Sequence, residues 1–331
     1  MRITRAVVAV VTVLLVIEYV GLSSFLDTLA VAQTAETSNV AVGPQYGSTH
    51  VYVAPTDFDR FVVSVIGTFG GTASKKGVFT VTPTPSRTMS QLVLTPVGTF
   101  SVFGFETPIP YPFGSERTGY LVTDMASAIR AAHATGADIL VSPFNDPIGR
   151  DAIIQWPGGV NTQLYWHTVA PSFAGLQNIP ENRVYMSEYA VNAFITSFLA
   201  FSHGEVISDD AHAPGIEIGR PTDTYRRIRV QSKFGKVTVL VTDGHLPYPY
   251  GREITGYDVA NLADTLSKAK AAGVAVLVGP YKADDRDAAM VRFPGGYVAE
   301  IHSLASRQNL ESSSLSAGER FFHSRLRPPG N

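Results

Sequence analysis

The sequence predicts an α+β protein made of two similar domains, each built from two β-α-β-β-β units. Two observations predict this fold class: a repeat that spans most of the chain, and the same order of strand-like and helix-like segments in each half of each copy. The length of 331 residues also fits two domains, at roughly 100–200 residues per domain.

The repeat keeps a constant register. Thr118–Val122 (TGYLV) recurs as Thr255–Val259 (TGYDV), an offset of 137 residues (256 − 119 for the glycines). The same offset carries Pro110–Gly114 onto 247–251 and Pro157–Gly159 onto 294–296, and it falls to 133 (184 − 51) near the start of each copy. The chain is therefore interpreted as a tandem duplication. The predicted copies are 47–168 and 182–304, and the predicted linkers are 33–46 and 169–181, with a flexible tail at 305–331.

The first half of each copy begins with a strand and an amphipathic helix. His50–Val53 has the pattern of a strand, and an apolar face at helical spacing follows it: Phe58, Phe61, Val62, Val65 and Ile66. In the second copy the corresponding face is Phe194, Ile195, Phe198 and Leu199. Three alternating segments then complete the first unit as strands, namely Thr80–Thr82, Gln91–Leu94 and Phe100–Phe103.

The second half of each copy has a helix with clear start and stop signals. Asp124 is a good N-cap, Met125, Ala128, Ile129 and Ala132 share one face, and Gly136 stops the helix. Asn261, Leu262, Leu266, Ala269 and Gly273 repeat this pattern. Strands are predicted after each helix, at Ala137–Val141, Asp151–Gln155, a last strand through Leu164, and Val274–Val278.

The N-terminus has the features of an export signal. Arg2 and Arg5 precede the apolar run Ala6–Ile17, and Ala30–Ala32 (AVA) fits signal peptidase, so the signal peptide is 1–32 and the mature chain starts at Gln33. Export to the periplasm or outside the cell is expected, with no stable membrane span after cleavage, although a retained anchor is the alternative. The chain has no cysteine, so it forms no disulfide.

The charge balance gives no reason to expect nucleic acid as a partner. The formal net charge is −2, the pI is near 6.4, and the charged residues are scattered. We therefore expect no nucleic-acid binding.

Several segments resemble a known family. The first strand carries His50 with Asp57 seven residues later, the segment Gly119–Asp124 (GYLVTD) opens the second unit, and its helix ends in Ala134–Asp138 (ATGAD). With the repeated β-α-β-β-β units, these segments resemble the vicinal oxygen chelate superfamily, which includes glyoxalases, bleomycin-resistance proteins and dioxygenases. The resemblance implies that two units face each other and that their sheet forms a cup around a small-molecule or metal site. Members include lyases, isomerases, dioxygenases and metal-free binding proteins.

The resemblance also implies where metal ligands would lie, on the first and last strands of each unit. These positions hold His50, Ser101, Gly119 and Gln163 in the first copy and Arg183, Thr238, Gly256 and Glu300 in the second. Neither set offers three good ligands, which a catalytic zinc site or a 2-His-1-carboxylate iron site requires. A divalent metal ion is therefore only an alternative, in a shifted site formed by His50, Gln163 and His167.

Strand alternation predicts the side chains that share each cup, because residues i and i+2 point to one face. The first cup would hold His50, Tyr52, Phe103, Phe105, Leu121, Gln163, Tyr165 and His167. The second would hold Arg183, Tyr185, Leu240, Asp258, Glu300 and His302. An aromatic wall with few polar groups suits a small organic ligand. The candidate catalytic residues are His50, Tyr165 and His302.

The candidate site residues also have structural interpretations that involve no ligand. His50 could be a hydrogen-bonded strand histidine, and His167 a solvated rim residue. Arg183 and Glu300 would form a buried ion pair, or Arg183 would receive an anionic group. The strand starts Arg150-Asp151 and Arg286-Asp287 are interpreted as salt bridges, and Asp209, Asp210 and Glu217 as solvated loop residues. The Pro-Tyr-Pro loops, followed by Glu116 and Glu253, would be stiff connectors or a cavity lip.

Three functions remain open from the sequence. The first is a metal-independent protein that binds a small organic molecule outside the cytoplasm. The second is a glyoxalase-type lyase or isomerase, or a dioxygenase, with an atypical metal site around His50. The third is a structural or interaction module. The missing metal ligands favour the first over the second, and the aromatic cup disfavours the third.

Overall fold

The computed structural model describes residues 39–304. The predicted signal peptide (1–32), the first part of the linker (33–38) and the C-terminal tail (305–331) lie outside the described residues. Within 39–304, no helix has the length and apolar character needed to cross a membrane.

The first copy contains two β-α-β-β-β units. The first unit comprises β1 (Ser48–Tyr52), α1 (Phe58–Phe69), β2 (Thr72–Ala73), β3 (Gly77–Phe79), β4 (Thr88–Thr95) and β5 (Gly98–Phe105). The second unit comprises β6 (Arg117–Leu121), α2 (Met125–Ala134), β7 (Asp138–Asp146), β8 (Gly149–Gln155) and β9 (Asn161–His167). The short segments β2 and β3 both pair with β4 and together take the place of one strand.

The second copy repeats this order. Its first unit comprises β10 (Glu181–Met186), α3 (Glu188–Ser202), β11 (Glu205–Pro214), β12 (Thr224–Ser232) and β13 (Gly235–Val241). Its second unit comprises β14 (Ile254–Asp258), α4 (Leu262–Ala271), β15 (Ala275–Ala283), β16 (Arg286–Arg292) and β17 (Val298–Leu304). Short 3-10 turns lie at Pro44–Tyr46, Pro55–Asp57 and Gly215–Ile218.

Each copy forms one mixed sheet with the first strands of its two units at the centre. The strand orders are β2-β4-β5-β1-β6-β9-β8-β7, with β3 beside β4, and β11-β12-β13-β10-β14-β17-β16-β15. In both sheets the two central strands are antiparallel, and each runs parallel to the last strand of its own unit. The predicted fold class, with two β-α-β-β-β units in each copy, is confirmed.

The helix caps explain why α2 and α4 begin at equivalent places. The side chain of Asp124 accepts a hydrogen bond from the backbone N–H of Ser127 at 2.8 Å, and that of Asn261 accepts one from Asp264 at 3.0 Å. Each satisfies one of the free N–H groups of the first turn. Gly136 and Gly273 follow the helices with φ values of 97° and 81°, which favour glycine.

The hydrophobic cores are shared between the two copies. In one core, α1 and α4 pack together, and Phe61 of α1 lies edge-on to Tyr297 of the second copy with ring centroids 5.8 Å apart. In the other, α2 and α3 contribute to one cluster, in which Trp156 of the first copy contacts Phe198 of α3 at 5.5 Å. Residues 39–304 therefore belong to one compact unit.

The first linker, which was predicted as a connector, forms backbone hydrogen bonds with the end of β6. Val40 is buried, and its carbonyl accepts from the N–H of Thr123 at 2.9 Å. The N–H of Val42 donates to Leu121 at 3.2 Å, so residues 40–42 lie along the end of β6.

Two segments differ from the sequence prediction. Thr80–Thr82 is not a strand; the strand β3 ends at Phe79, and the following loop contains Pro83 and Pro85, which have no N–H to donate to a sheet. The hydroxyl of Thr82 instead bonds the carbonyl of Thr84 and the hydroxyl of Ser86. Asp209 and Asp210, interpreted as loop residues, lie in the edge strand β11.

Candidate functional site

The four positions expected to face each cup lie side by side on four neighbouring strands. In the first sheet His50 of β1 is opposite Ser101 of β5, and Gly119 of β6 is opposite Gln163 of β9. In the second sheet Arg183 is opposite Thr238, and Gly256 is opposite Glu300. The register of the two sheets is therefore the same, and the two cups can be compared residue by residue.

The first cup contains a cavity of about 230 Å³. This volume lies just below the roughly 300–1,000 Å³ of typical small-molecule pockets, so a ligand would be small. Its apolar lining consists of Tyr52, Phe79, Val81, Leu92, Phe103, Phe113, Pro147, Ile148, Tyr165 and Phe173. Its polar lining consists of His50, Ser90, Gln91, Thr99, Ser101, Asp146, Asp151, Gln163 and His167.

One wall of this cavity is a ladder of stacked rings from β1 and β5. His50 and Phe103 are 5.6 Å apart at 18°, and Phe103 and Tyr52 are 5.4 Å apart at 27°. Phe105 continues the ladder 6.1 Å from Tyr52, but it packs behind the wall and does not line the cavity. Leu121, also expected in the cup, is buried elsewhere. The ladder offers a flat face to a planar ligand.

His50 is buried in this wall of the cavity and is neutral. Its side chain is 3% exposed, and its Nδ1 has no hydrogen-bond partner among the described residues. Burial, followed by the charge of Arg117, lowers the pKa of His50 well below its usual value. Gly119 makes room for the ring, because a Cβ at that position would lie 2.3 Å from His50 Cε1.

A buried polar chain lies beside His50. The guanidinium of Arg117 donates to Gln163 Oε1 from Nε at 3.1 Å and from Nη2 at 2.8 Å, and Gln163 Nε2 donates to Asp151 Oδ2 at 2.8 Å. Burial raises the pKa of Asp151 well above its usual value, and the charge of Asp146 adds to this, while Arg117 opposes it. Both polar ends of Gln163 are thus occupied by protein groups.

The rim of the cavity comes from three segments. Tyr165 lines it next to His167, with ring centroids 5.4 Å apart, and the Tyr165 hydroxyl donates to the carbonyl of Tyr46. Partial burial lowers the pKa of His167, against the influence of Asp146. Phe173 of the segment between the two copies packs on Tyr46 at 5.3 Å and closes one side.

The second cup is filled by ionised side chains. Arg183 is 1% exposed and Glu300 0%, and Arg183 Nη1 lies 3.0 Å from Glu300 Oε2, as expected for the ion pair. Arg183 Nη1 also contacts Glu181 at 2.5 Å, and its Nη2 lies 3.7 Å from Glu217. Arg286 contacts Glu181 at 2.8 Å, and Arg227 pairs with Glu217. We call these six residues the Arg/Glu cluster: Glu181, Arg183, Glu217, Arg227, Arg286 and Glu300.

The guanidinium groups keep two carboxylates of this cluster charged, those of Glu181 and Glu300. Burial opposes ionisation of Glu181, but Arg286 and Arg183 outweigh it and hold the pKa of this carboxyl well below its usual range. Burial likewise opposes ionisation of Glu300, whose pKa the charge of Arg183 nevertheless lowers to about 2. Glu181 and Glu300 are therefore ionised at neutral pH, and the cluster contains three buried carboxyl groups and three buried guanidinium groups.

One trio in this cup has the composition of a metal site. Oxygen or nitrogen atoms of Glu181, Glu300 and His302 lie within 4.8 Å of one another. The nitrogen Nη1 of Arg183 already lies between the two carboxylates, and Arg286 bonds Glu181 as well. A divalent cation in the same place would face two permanent positive charges. The residues present therefore do not fit a metal ion.

The first cup does not fit a metal ion either. Gly119 offers no ligand atom, Gln163 is occupied at both ends, and the Arg117 guanidinium lies next to Gln163. His50, whose Nδ1 has no partner among residues 39–304, is the one imidazole of the expected set, and Ser101 adds only a hydroxyl. Of the shifted set of His50, Gln163 and His167, only the two histidines therefore remain as ligands, fewer than the three that a catalytic site requires.

The remaining residues expected in the second cup are buried around the Arg/Glu cluster. Tyr185 has a buried hydroxyl without a partner among the described residues, and burial raises its pKa. Asp258 lies opposite His302 in the register of β14 and β17, and both are buried. His302 Nδ1 lies 3.6 Å from Glu300 Oε2, so His302 belongs to the margin of the cluster.

Several site residues were missed by the sequence interpretation. Asp151 and Arg286 are not strand-start ion pairs with their neighbours, because adjacent strand residues point to opposite faces; Asp151 lines the first cavity and Arg286 contacts Glu181. Glu217 is not a solvated loop residue but is 1% exposed in the cluster. Arg117 and Glu181 each lie two residues before a position already assigned to the cup, on the same face, and that spacing could have found them.

Glu116 and Glu253 lie at the contact between the two copies. Glu253 Oε1 accepts from the N–H of Thr118 at 3.3 Å, and Thr49 and Thr255 join the central strands through hydroxyls 2.9 Å apart. Burial raises the pKa of Glu253 to about 7 and that of Glu116 to about 8. The connector loops therefore end in two carboxyl groups that resist ionisation.

No protein-family model and no curated protein sequence matches the chain. Solved structures do match its fold. A 4-hydroxymandelate synthase variant from Streptomyces coelicolor is 12% identical with a TM-score of 0.54, over 81% of this chain and 93% of that one. A xylose isomerase-like TIM barrel/4-hydroxyphenylpyruvate dioxygenase fusion protein is 14% identical with a TM-score of 0.50, over 80% of this chain and 50% of that one.

A Mn(II)-bound glyoxalase from Novosphingobium aromaticivorans is 12% identical with a TM-score of 0.46, over 80% of this chain and 82% of that one. Identities at this level establish the fold alone. The strand order, the paired units and the first two structural matches agree, and the chain is a tandem two-domain protein with the vicinal oxygen chelate fold.

Proposed function

We propose that this chain is an exported protein whose first cup binds a small organic molecule without a metal ion. The observation that carries the proposal is the contrast between the cups: the first contains a cavity of about 230 Å³ with an aromatic wall, and the Arg/Glu cluster fills the second. A flat apolar wall with a few polar groups at its floor is typical of ligand sites. The second domain supports the first through the shared cores.

The proposal is tested by ligand and metal analysis of the purified chain. Native mass spectrometry against a library of small aromatic molecules should detect a one-to-one complex, and elemental analysis should find metal at background. Ser101→Trp would fill the cavity from β5 and should abolish binding. Val63→Trp, on the exposed face of α1, is the matched control and should bind like the unchanged chain. A complex that survives Ser101→Trp would place the ligand elsewhere.

His50 separates this proposal from a metal-dependent enzyme. The names of the structural neighbours include a synthase and a dioxygenase, so a lyase, isomerase or dioxygenase centred on His50 is the second candidate. Under the proposal, His50→Ala weakens ligand binding and leaves metal content at background. Stoichiometric metal that disappears in His50→Ala, together with lost turnover of a substrate, would replace the binding protein with the enzyme.

Export rests on the N-terminal sequence. Arg2 and Arg5 precede an apolar run and the Ala30–Ala32 cleavage pattern. Expression in a bacterial host should release a mature chain from the cytoplasm, and intact-mass analysis should find Gln33 at its N-terminus. A full-length chain retained in the membrane fraction would instead indicate an anchor.

A further inference from the structure

Each cup holds a buried arginine bonded to the side chain at the same last-strand position. In the first cup Arg117 Nη2 lies 2.8 Å from Gln163 Oε1. In the second, Arg183 Nη1 lies 3.0 Å from Glu300 Oε2. Gln163 and Glu300 occupy equivalent places, opposite Gly119 and Gly256 in the register of the two sheets. Both copies thus place a guanidinium beside this last-strand position.

The copies differ in what balances that positive charge. Around Arg183 the balance comes from Glu181, Glu217 and Glu300. Around Arg117, none of the carboxylates of residues 39–304 lies within 4.0 Å. Its partners are the neutral oxygens of Gln163, Pro112 and Ser115. A buried cation without an opposite charge is costly, so this site is incomplete as it stands.

Two more distant carboxyl groups feel the charge of Arg117 but resist ionisation. Burial raises the pKa of Asp151 well above its usual value and that of Glu253 to about 7, although Arg117 acts against both shifts. Both shifts disfavour the ionised carboxylate, and neither group pairs directly with Arg117, whose hydrogen-bond partners are neutral oxygens.

The cavity lies next to this unbalanced charge. The guanidinium carbon of Arg117 is 5.4 Å from the ring centre of Tyr52 and 5.3 Å from that of Phe113, and both rings line the cavity. A ligand that packs against these rings would therefore lie close to the guanidinium. In an apolar medium, a positive charge attracts a nearby anion strongly. His50, which also lines the cavity, has an Nδ1 without a partner in the described part of the chain.

We propose that the ligand of the first cup is an organic anion: a carboxylate on a flat apolar body, whose charge replaces the glutamates that surround the arginine of the second cup. The inference rests on the proposed function of this cavity and names its ligand class. The stacked wall of His50, Phe103 and Tyr52 receives the apolar body. The carboxylate lies at the floor, near Gln163 and Asp151.

A matched pair of probes tests the charge. Phenylacetate and phenylacetamide have the same shape and differ in charge, and isothermal titration calorimetry on the full chain measures both. The carboxylate should bind at least about tenfold tighter, a difference of roughly 1.4 kcal/mol. Arg117→Met should abolish this preference. Arg150→Met, which removes an exposed arginine from the opposite face of β8, should keep it.

A second variant transfers the chemistry of the second cup to the first. Gln163→Glu introduces the carboxylate of Glu300 at nearly constant shape, and it also covers the case in which Arg117→Met does not fold. It should weaken phenylacetate binding at least about tenfold and leave phenylacetamide binding nearly unchanged. Equal affinities for the two probes in the unchanged chain, or a preference that survives Gln163→Glu, would overturn the inference.

The two proposals fail in different ways. If phenylacetamide binds as well as phenylacetate, and Ser101→Trp blocks both, the cavity binds organic molecules but does not select anions. If both probes bind and neither responds to Ser101→Trp, the proposed site itself is wrong. In either case the anion-selective first cup is excluded.

Discussion

At the scale of single residues, the side chains of the Arg/Glu cluster lose their hydration on burial, and their attraction to one another offsets this loss. Arg183 contacts the carboxylates of Glu181, Glu217 and Glu300, and all four side chains are almost completely buried. Such groups contribute little net stability as a set, because desolvation offsets their attraction. Removing one member is different, since it leaves a buried charge of the opposite sign unpaired.

Arg183→Met should therefore destabilise the protein strongly, by about 3–5 kcal/mol in chemical denaturation. The double variant Arg183→Met/Glu300→Gln should recover part of that loss, because it removes one of the unpaired carboxylates. Arg226→Met, which breaks the exposed pair with Asp209, is the control and should cost at most about 1 kcal/mol. Equal losses for Arg183→Met and Arg226→Met would show that the cluster is not energetically coupled.

Gly119 carries a prediction about the first cup. A Cβ at this position would lie 2.3 Å from Cε1 and 2.8 Å from Nδ1 of His50, so Gly119→Ala must displace the imidazole. We expect a loss of stability of about 1–3 kcal/mol from overpacking. We also expect weaker binding of phenylacetate by calorimetry. Gly175→Ala, where a Cβ meets open space, should change neither quantity. Unchanged affinity in Gly119→Ala would mean that His50 does not shape the site.

At the scale of elements, local signals in the sequence predicted the helices and most strands well. The caps Asp124 and Asn261 and the alternation around His50 depend on near neighbours, and the structure agrees with them. The burial of Glu217 could not be predicted in this way. Its partners Arg183 and Arg227 belong to β10 and β12, and only the folded sheet brings them together. The prediction of a strand at Thr80–Thr82 was wrong. The alternating pattern favoured a strand, but the two prolines of the following loop have no N–H to donate to a sheet.

The equivalent caps of α2 and α4 should make equivalent contributions. Asp124→Ala and Asn261→Ala each remove one side-chain acceptor from a helix N-terminus. Each should lower the free energy of unfolding by about 0.5–2 kcal/mol. Asp138→Ala, an exposed aspartate of β7 that caps no helix, is the control and should be nearly neutral. A cap variant as stable as Asp138→Ala would mean that water replaces the lost bond at no cost.

At the scale of the whole molecule, the two copies depend on each other. Each core contains helices from both copies, and the central strands meet through Thr49 and Thr255. Residues of the second copy therefore complete both of these hydrophobic cores. The same contact contains Glu253, which accepts from the N–H of Thr118 across the boundary.

Glu253 makes the stability of this contact depend on pH. Burial raises the pKa of its carboxyl to about 7, whereas in the unfolded chain the pKa is about 4.3. Between these values the folded protein binds more protons than the unfolded chain, so stability is highest at low pH in this window and falls as pH rises. Thermal unfolding followed by circular dichroism between about pH 4 and 8, a range that includes both pKa values, measures the effect.

Glu253→Gln should reduce that pH-dependent loss by roughly 1–3 kcal/mol, because each unit of pKa shift corresponds to about 1.4 kcal/mol. The amide cannot ionise, and its oxygen can still accept from the N–H of Thr118. Glu205→Gln, at an exposed edge position of β11, should leave the pH profile unchanged. If Glu253→Gln and Glu205→Gln both give the same profile as the unchanged chain, the pH dependence arises from another carboxyl group. Glu116, at the same contact, is then the next residue to change.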